Sequence, residues 1–356
     1  MARSFTIKVP ASSANIGPGY DVLGISLSLY LELHVVVDPD LQSDASCILS
    51  YTEDSEGYNL VPLEPTENLI TRAALYTLRC NGVKDFPQTT KVVVRNPIPL
   101  GRGLGSSGAA TVAGVLLGNE IGNLGLSREQ CLDYSLMVER HPDNITASMM
   151  GGFRASFLRS MSPEELDSCD NAVEKVIQHY SSTKGEQLTG TSLSFCPPSN
   201  MSMNVEYNWN SKIKCISVIP SFHLSTEDAR RVLPREYSTS DVVFNLQRLA
   251  VLTNALGQDP PRADLIYPAM QDKIHQPYRK ALVPGLADII ELITPTRFPG
   301  LLGICLSGAG PSILALATDN FESIAQEIIK CFAQNGVEST WKLSELCQSG
   351  PIIEDA

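Results

Sequence analysis

The chain contains 356 residues, of which 43% are hydrophobic, and it carries a formal net charge of −12 at pH 7. This length and hydrophobic content predict a globular protein with room for two domains. The acidic balance argues against nucleic acid or an anionic membrane as a partner, because both require basic surface. No apolar run of about 18 residues is present, and the N-terminal residues alternate like a strand, so neither a transmembrane helix nor a signal peptide is predicted.

The nine cysteines are scattered along the chain without a C-x-x-C pair. An odd number of cysteines without metal-binding spacing is typical of reduced thiols. The sequence therefore predicts a cytoplasmic protein.

Hydrophobic periodicity predicts the secondary structure before residue 160. Alternating apolar residues indicate strands over 4–9 and 27–35, and the glycine-rich SSANIGPGYDVLG between them is predicted as a loop that can line a site. The other predicted elements here are a helix over 67–80, a strand over 91–96, helices over 106–122, 128–139 and 142–150, and a strand over 151–158. Ser127 and Gln130 form a predicted capping box, and Pro142 is suited to the first turn of the helix it begins.

Residues 160–200 are polar and poor in aromatic side chains, which predicts a surface excursion or linker that is partly mobile. The elements predicted after it are a strand over 213–219, helices over 226–232 and 241–256, strands over 302–306 and 313–317, a helix over 321–335 and a strand over 337–342. This order matches the split βαβ pattern of a ferredoxin-like layer.

The segment PLGRGLGSSG, residues 99–108, is the most informative motif. Gly101, Gly103 and Gly105 alternate and precede Ser106 and Ser107, so the loop has little side-chain bulk and can bring several backbone N–H groups to one anion. Because a predicted helix follows, its positive N-terminal end points to the same place. These features predict a phosphate-binding site.

Three other interpretations of this motif are weaker. Gly103, Gly105 and Gly108 match G-x-G-x-x-G, but two prolines separate them from the preceding strand, and a helix follows where a dinucleotide-binding unit has a strand. A P-loop is excluded because no lysine follows the glycines. A simple tight turn does not need two serines and three alternating glycines.

The same motif resembles the P-x-x-x-G-L-G-S-S-A loop of the GHMP kinases and departs from it only at Gly108, where alanine is usual. Five further segments resemble the homoserine kinases of that family, most closely the longer fungal type: ANIGPGYDVLG (14–24), HPDN (141–144), STEDARRVLP (225–234), QPYRKALVPG (276–285) and SGAGPS (307–312). The resemblance runs from residue 7 to about residue 336, apart from a variable middle over roughly 160–208.

The resemblance implies an α+β fold with two domains. Residues 1–160 would form an ATP-binding domain like domain 2 of ribosomal protein S5, residues 161–208 a variable linker or insertion, and residues 209–356 a ferredoxin-like domain. The implied activity is ATP-dependent phosphorylation of the side-chain hydroxyl of L-homoserine, on the route to threonine, with Mg²⁺. The family is often dimeric, so a homodimer is left open as a partner state.

The resemblance also assigns site residues. The residues implied to bind ATP are Asn68, Pro99, Gly101, Arg102, Gly103, Leu104, Gly105, Ser106, Ser107 and Gly108. The residues implied to bind the amino-acid substrate are Asn15, Asp21, His141, Asn144, Thr226, Arg230, Arg279 and Gly308. Asp21 suits an ammonium group, and arginines hold a carboxylate through two parallel hydrogen bonds.

Magnesium requires hard oxygen ligands. By similarity, Ser107 and a glutamate supply them, and Glu139 is preferred because a carboxylate is otherwise disfavoured near a helix C-terminus. Asp133 remains an alternative for that carboxylate.

The residues assigned to catalysis are Ser107, Glu139, His141 and Asn144. Asn144 stands where some related kinases carry an aspartate, and an amide can orient a hydroxyl but cannot take its proton. We therefore expect catalysis by alignment and electrostatics, with His141 as a substrate contact. Two other functions stay open: a kinase of mevalonate or a sugar, and an inactive ligand sensor with the same fold.

Overall fold

The computed structural model of this chain describes residues 2–38, 40, 45–87, 90–182 and 195–355. These residues form a seven-stranded sheet and a four-stranded sheet, both covered by helices. No helix in the described ranges is long and apolar enough to cross a membrane.

The seven-stranded sheet is built mostly from the N-terminal half. Its strands are β1 (Arg3–Ala14), β2 (Leu23–Val37), β3 (Cys47–Tyr51), β4 (Thr90–Arg95), β5 (Phe153–Leu158), β6 (Ser202–Tyr207) and β11 (Ile352–Asp355). They are ordered β11-β1-β2-β4-β3, with β5 on β2 and β6 on β5, and only β3 and β4 pair in parallel. β11 pairs with β1 and so belongs to the first sheet, whereas the sequence predicts these four residues in the C-terminal domain.

The first two strands are longer than predicted. β1 continues through Ser12, Ser13 and Ala14 because these residues stay paired with β2 beyond a β-bulge at Pro10 and Ala11. The predicted loop is therefore shorter at both ends and covers residues 15–22.

Helices α2 (Ser106–Ile121) and α4 (Pro142–Met150) pack on this sheet, and α1 (Leu69–Cys80) and α3 (Arg128–Val138) pack on those helices. The predicted capping box of α3 is confirmed, because Ser127 accepts the backbone N–H of Gln130 and Gln130 accepts that of Ser127. Pro142 lies in the first turn of α4, also as predicted.

The linker prediction for 160–200 is wrong where the structure describes the segment. Helices α5 (Pro163–Cys169) and α6 (Ala172–Ser182) form there, and α6 packs against α1 through buried side chains such as Val176. The sequence carried a signal for α5: Ser162 and Glu165 form a capping box around Pro163. Residues 183–194 of the predicted linker lie outside the described residues.

The second sheet confirms the predicted ferredoxin-like layer. Its strands are β7 (Lys214–Pro220), β8 (Leu301–Leu306), β9 (Ile313–Ala317) and β10 (Ser339–Ser344). They are antiparallel in the order β10-β7-β9-β8, which is the order that the split βαβ pattern requires. The helices around this sheet are α7 (Thr226–Arg231), α8 (Thr239–Ala255), α9 (Ala263–Ala269), α10 (Gln276–Arg279), α11 (Leu286–Leu292) and α12 (Phe321–Gln334).

Alternate residues of the second sheet enter two different cores. Ile216 and Val218 of β7 pack with α11 and α12, whereas Cys215 and Ile219 join the core that contains the first sheet. The two sheets therefore share an apolar layer, and the positions of the loops between them depend on both sheets.

Candidate active site

The glycine-rich loop before α2 has the backbone that its sequence predicts. Gly101, Gly103 and Gly105 all have positive φ, at 61°, 79° and 66°. A Cβ on Gly103 would lie 2.2 Å from the carbonyl oxygen of Ser307, and one on Gly105 would lie 2.0 Å from Oγ of Ser12. Only glycine combines this conformation with such close approach. No side chain caps α2, so the N–H groups of its first turn are available to an anion.

This loop lines a cavity of about 100 Å³ between the two halves of the chain. Residues from four of the six motif segments meet there, among them Ser107, Asn144, Thr226 and Gly308, together with Glu139. Their convergence at the N-terminus of α2 forms a polar nest of the size of a few phosphate oxygens.

The remaining residues of the loop differ in position. Arg102 lines the cavity, and its Nη2 donates to the carbonyl oxygen of Ser221 at 3.4 Å. Leu104 is buried in the core. A Cβ on Gly108 would meet Asn144 and Ile145 at 3.6 Å, which is an ordinary contact, so the alanine usual at this position would also fit. Pro99 precedes the loop and does not line the cavity.

A second cavity of about 260 Å³ shares Gly101, Ser106 and Ser107 with the first. Its walls include the side chains of Leu31, Val61, Pro62, Leu69 and Leu100. An apolar slot that opens onto a phosphate nest has the shape and polarity that a nucleoside needs.

Asn68 lines this slot, but its amide is already engaged. Oδ1 accepts the N–H of Ile70 and caps α1, while Nδ2 donates to the Tyr51 hydroxyl and to the Pro62 carbonyl oxygen, each at 2.9 Å. Both amide hydrogens are thereby used. Asn68 shapes the slot, and Tyr51 retains its own O–H as a donor.

Ser107 and Glu139, the two predicted magnesium ligands, lie next to each other. Ser107 Oγ, in the first turn of α2, donates to Oε2 of Glu139 at 2.7 Å. Glu139 follows the last residue of α3, where burial raises the pKa of its carboxyl and the Ser107 hydrogen bond lowers it. Both oxygens are hard donors beside the phosphate nest, so the pair fits a magnesium ion completed by phosphate oxygens and water.

The alternative carboxylate, Asp133, lies elsewhere. It is buried, and its two oxygens accept the backbone N–H groups of Asn200 and Met201 at 2.8 and 2.7 Å. Asp133 therefore holds the backbone just before β6 in place. The geometry favours Glu139 for the metal.

Asn15 and Asp21 lie at opposite ends of the loop between β1 and β2. Both have positive φ, at 59° and 54°, a conformation that asparagine and aspartate tolerate at some cost. The Oδ1 atom of Asn15 accepts the N–H of Asp21 at 2.8 Å, which fixes the loop. The Asp21 carboxylate then faces Arg230 of α7.

Arg230 joins two predicted substrate residues. Its Nη2 donates to both carboxylate oxygens of Asp21, at 2.7 and 3.0 Å, and to Nδ1 of His141 at 3.1 Å. Because a guanidinium can only donate, the lone pair of His141 lies on Nδ1 and its proton on Nε2. Burial and Arg230 lower the pKa of His141, although Asp21 raises it.

Asn144 faces the phosphate cavity from the first turn of α4. Its Oδ1 accepts the hydroxyl of Ser12 at 2.9 Å, and its Nδ2 donates to Oδ1 of Asp143 at 3.5 Å, so one amide hydrogen remains as a donor toward the cavity. The neighbouring Asp143 is buried, and its Oδ1 accepts the N–H of Asn144 at 2.8 Å. Burial, assisted by the charge of Asp21, raises the pKa of Asp143 to about 7.

Arg279 is fully buried at the end of α10. Its Nε donates to the carbonyl oxygen of Ala229 at 3.1 Å, and its Nη1 donates to that of Gly308 at 3.3 Å and to Nδ1 of His275 at 3.1 Å. Arg279 thus connects the segment before Arg230 with the SGAGPS turn.

The sequence analysis missed two aromatic residues of this cluster. The rings of Tyr20 and His275 stack with centroids 5.4 Å apart, and the guanidinium carbons of Arg230 and Arg279 lie 5.6 and 5.4 Å from the Tyr20 ring. Tyr20 lies within the segment ANIGPGYDVLG, and His275 directly precedes QPYRKALVPG. Their position in or beside segments that resemble the family could have identified them.

Comparison with known proteins shows which family this chain belongs to. Residues 68–152 match the model described as GHMP kinases N terminal domain, and residues 256–335 match GHMP kinases C terminal. The chain is 60% identical to homoserine kinase of Saccharomyces cerevisiae over 99% of both sequences. It belongs to the homoserine kinases of the GHMP kinase family.

Further matches agree with this membership. Homoserine kinase of Schizosaccharomyces pombe is 51% identical over 99% of both sequences, and that of the bacterium Solibacter usitatus is 36% identical over 93% of this chain and 91% of its own. A crystal structure of homoserine kinase from Cytophaga hutchinsonii has 25% identity and a TM-score of 0.74, covering 99% of this chain and 97% of its own. The predicted α+β fold with two GHMP domains and the similarity to fungal enzymes are confirmed.

Proposed function

We propose that this chain transfers the γ-phosphoryl group of ATP to the side-chain hydroxyl of L-homoserine, giving O-phospho-L-homoserine. The observation that carries the proposal is the pairing of Asp21 with Arg230 beside the phosphate cavity. One residue suits an ammonium group and the other a carboxylate, so together they suit the zwitterion of an amino acid. Mevalonate lacks the ammonium group, so its carboxylate would take Arg230 and leave Asp21 without a partner. A neutral sugar offers neither charge in exchange for the ion pair.

The nucleotide occupies both cavities in this proposal. The phosphates lie in the nest formed by Gly101, Gly103, Gly105 and the first turn of α2, and the nucleoside lies in the apolar slot beside it. The support is that the two cavities share Ser106 and Ser107.

Ser107 and Glu139 would hold magnesium between the nest and the acceptor. When bound, the ion neutralises charge that develops on the transferring phosphoryl group. The hydrogen bond between the two side chains keeps their oxygens together, which supports this assignment.

The acceptor hydroxyl is oriented without a dedicated base. Asn144 presents one amide N–H to the cavity, because Ser12 engages its Oδ1 and Asp143 accepts from its Nδ2. His141 has no free lone pair on Nδ1, because Arg230 donates to that atom. The hydroxyl proton then leaves late, to the transferred phosphate itself, while the nest and the aligned amide stabilise the loose transition state.

A coupled assay of ADP release tests the function. Wild-type protein is assayed with L-homoserine, D-homoserine, mevalonate, galactose and no acceptor, each with and without magnesium. We expect turnover with L-homoserine and magnesium only. Turnover with mevalonate or galactose instead would overturn the substrate assignment. Ligand binding without any ADP release would identify a sensor.

The cellular context is also part of the proposal. All nine cysteines are free, and eight of them are buried, which supports a reducing compartment and hence the cytoplasm. A homodimer stays a prediction from the family, and light scattering of the purified chain measures it directly.

A further inference from the structure

His275 lies between two segments that the proposed acceptor site requires. It directly precedes α10 and is fully buried. Its Nε2 lies 2.9 Å from the carbonyl oxygen of Gly17, in the loop that carries Asn15 and Asp21. Its Nδ1 lies 3.1 Å from Nη1 of Arg279.

These two contacts fix the protonation of the His275 ring. A carbonyl oxygen can only accept, so the Nε2 atom carries the proton, and a guanidinium can only donate, so the Nδ1 atom carries the lone pair. A second proton would lie on Nδ1 against the hydrogens of Arg279. The ring is therefore neutral, and it donates a hydrogen bond through Nε2 and accepts one through Nδ1.

The charged and titratable groups that face this ring are Asp272, Arg279, Asp21 and Tyr20. Burial lowers the pKa of His275 and Arg279 lowers it further, whereas Asp272 and Asp21 raise it. Both oxygens of Asp272 already accept backbone N–H groups at the start of α10, and one of them also accepts from the side chain of Asn245.

The contacts of Arg279 determine which of its hydrogens remain for a ligand. Nε and Nη1 are held by the carbonyl oxygens of Ala229 and Gly308 and by His275. Nη2 makes no hydrogen bond with any residue in the described ranges, so its two hydrogens are the ones that can receive a carboxylate. The orientation of Nη2 follows from how Nη1 is held.

We propose that His275 is a positioning residue for the acceptor: it accepts from Nη1 of Arg279 and so aims Nη2 at the α-carboxylate of the substrate. This inference rests on the proposed function, in which Arg279 binds that carboxylate. It assigns a separate role to each ring nitrogen: Nδ1 orients the arginine, and Nε2 holds the Gly17 loop.

Two isosteric variants separate these roles. In His275→Asn the amide oxygen replaces Nδ1 and still accepts from Arg279, but the donor to Gly17 is lost. In His275→Gln the amide nitrogen replaces Nε2 and still donates to Gly17, but the acceptor for Arg279 is lost. Both variants lose one hydrogen bond, so a purely structural role would lower the melting temperature of both without distinguishing their KM values.

The expected result is a KM for L-homoserine that rises by about tenfold in His275→Gln and by less in His275→Asn, in which the loop of Asn15 and Asp21 loses one hydrogen bond, with the KM for ATP unchanged in both. L-Homoserinol, which has CH₂OH in place of the carboxylate, serves as the second acceptor. Its kcat/KM should be the same in His275→Gln as in wild type, because Arg279 has no carboxylate to bind. Equal effects of the two variants, or an equal loss with L-homoserinol, would overturn the proposal.

A measurement on the wild-type protein covers the case in which a variant does not fold. With ¹⁵N-labelled histidine, the NMR signals of His275 should show a protonated Nε2 and an unprotonated Nδ1 at neutral pH, and the Nδ1 signal should shift when L-homoserine binds. A ring protonated on Nδ1, or no shift on saturation, would contradict the inference. If wild-type protein does not phosphorylate L-homoserine at all, the proposed function fails, whereas turnover by wild type with equivalent variants refutes only the role of His275.

Discussion

Arg230 and Asp21 bind each other, with Nη2 of the arginine 2.7 and 3.0 Å from the two oxygens of the carboxylate. An incoming amino acid must separate them, and its ammonium and carboxylate groups can then replace each lost partner. One ion pair is exchanged for two. A ligand with only one of these charges would leave the other residue unpaired and partly buried, which costs more than the lost contact alone. The pair therefore selects for the zwitterion.

Arg230→Ala should raise the KM for L-homoserine by about tenfold or more and leave the KM for ATP nearly unchanged, because a charge-assisted contact to the substrate is lost. Arg231→Ala is the matched control. Arg231 lies next along α7, is exposed and pairs only with Glu227 and Asp228 of its own helix. Steady-state kinetics with each substrate varied gives the answer, and an equal rise in both KM values in Arg230→Ala would indicate a structural role instead.

Glu139→Gln should lower kcat strongly and raise the magnesium concentration needed for half-maximal rate, while the chain stays folded. The amide keeps the size of the side chain and can still accept from Ser107, so only the charge is lost. Glu129→Gln, an exposed change in the first turn of the same helix, should leave both quantities unchanged. Unchanged turnover and magnesium dependence in Glu139→Gln would contradict the assignment, and Asp133 would then be tested.

The elements that the sequence predicted are those with a local signal. The capping box of α3 and the short apolar runs that form β8 and β9 are visible without any knowledge of the fold. β11 has no such signal, because its four residues are all exposed and the strand exists only through its pairing with β1. The helix α9 is short and contains Pro268, which weakens its pattern.

The site could be predicted where a motif carries it, and tertiary contacts supply the rest. Asp133 and Glu139 are both carboxylates in or beside α3, and only the fold shows that one faces Ser107 and the other the backbone of residues 200–201. Ser12 contacts Asn144 across 132 positions of sequence, and His275 contacts Gly17 across 258. No spacing rule relates residues so distant.

Asp143→Asn should stabilise the protein in a pH-dependent way. The folded chain raises the pKa of Asp143 to about 7, so between about pH 4 and pH 7 it keeps a proton that the unfolded chain has released, and the free energy of unfolding falls as pH rises. The variant removes this titration and can still accept the N–H of Asn144. Its gain over wild type should grow from near zero at about pH 4 to at most about 4 kcal/mol at about pH 8.

Urea unfolding across this pH range measures the gain. Asp319→Asn is the control, because Asp319 also accepts the N–H of the next residue, at 2.7 Å, but is exposed. Its effect should be small at every pH. A gain in Asp143→Asn that does not change with pH would show that the carboxyl is ionised in the folded chain throughout the range.

His141→Gln should retain kcat to within about tenfold, because His141 does not take the hydroxyl proton. Arg230 donates to its Nδ1 at 3.1 Å, so the ring has its proton on Nε2 and offers no free lone pair. Burial and Arg230 also lower its pKa, so the kcat of wild type should show no essential base titrating between about pH 6 and 7. Rapid-quench measurement of the chemical step, with both substrates saturating, tests the variant directly. A variant that binds both substrates normally yet loses roughly 10²–10⁴ in that step would identify His141 as the general base, because that is the usual contribution of one.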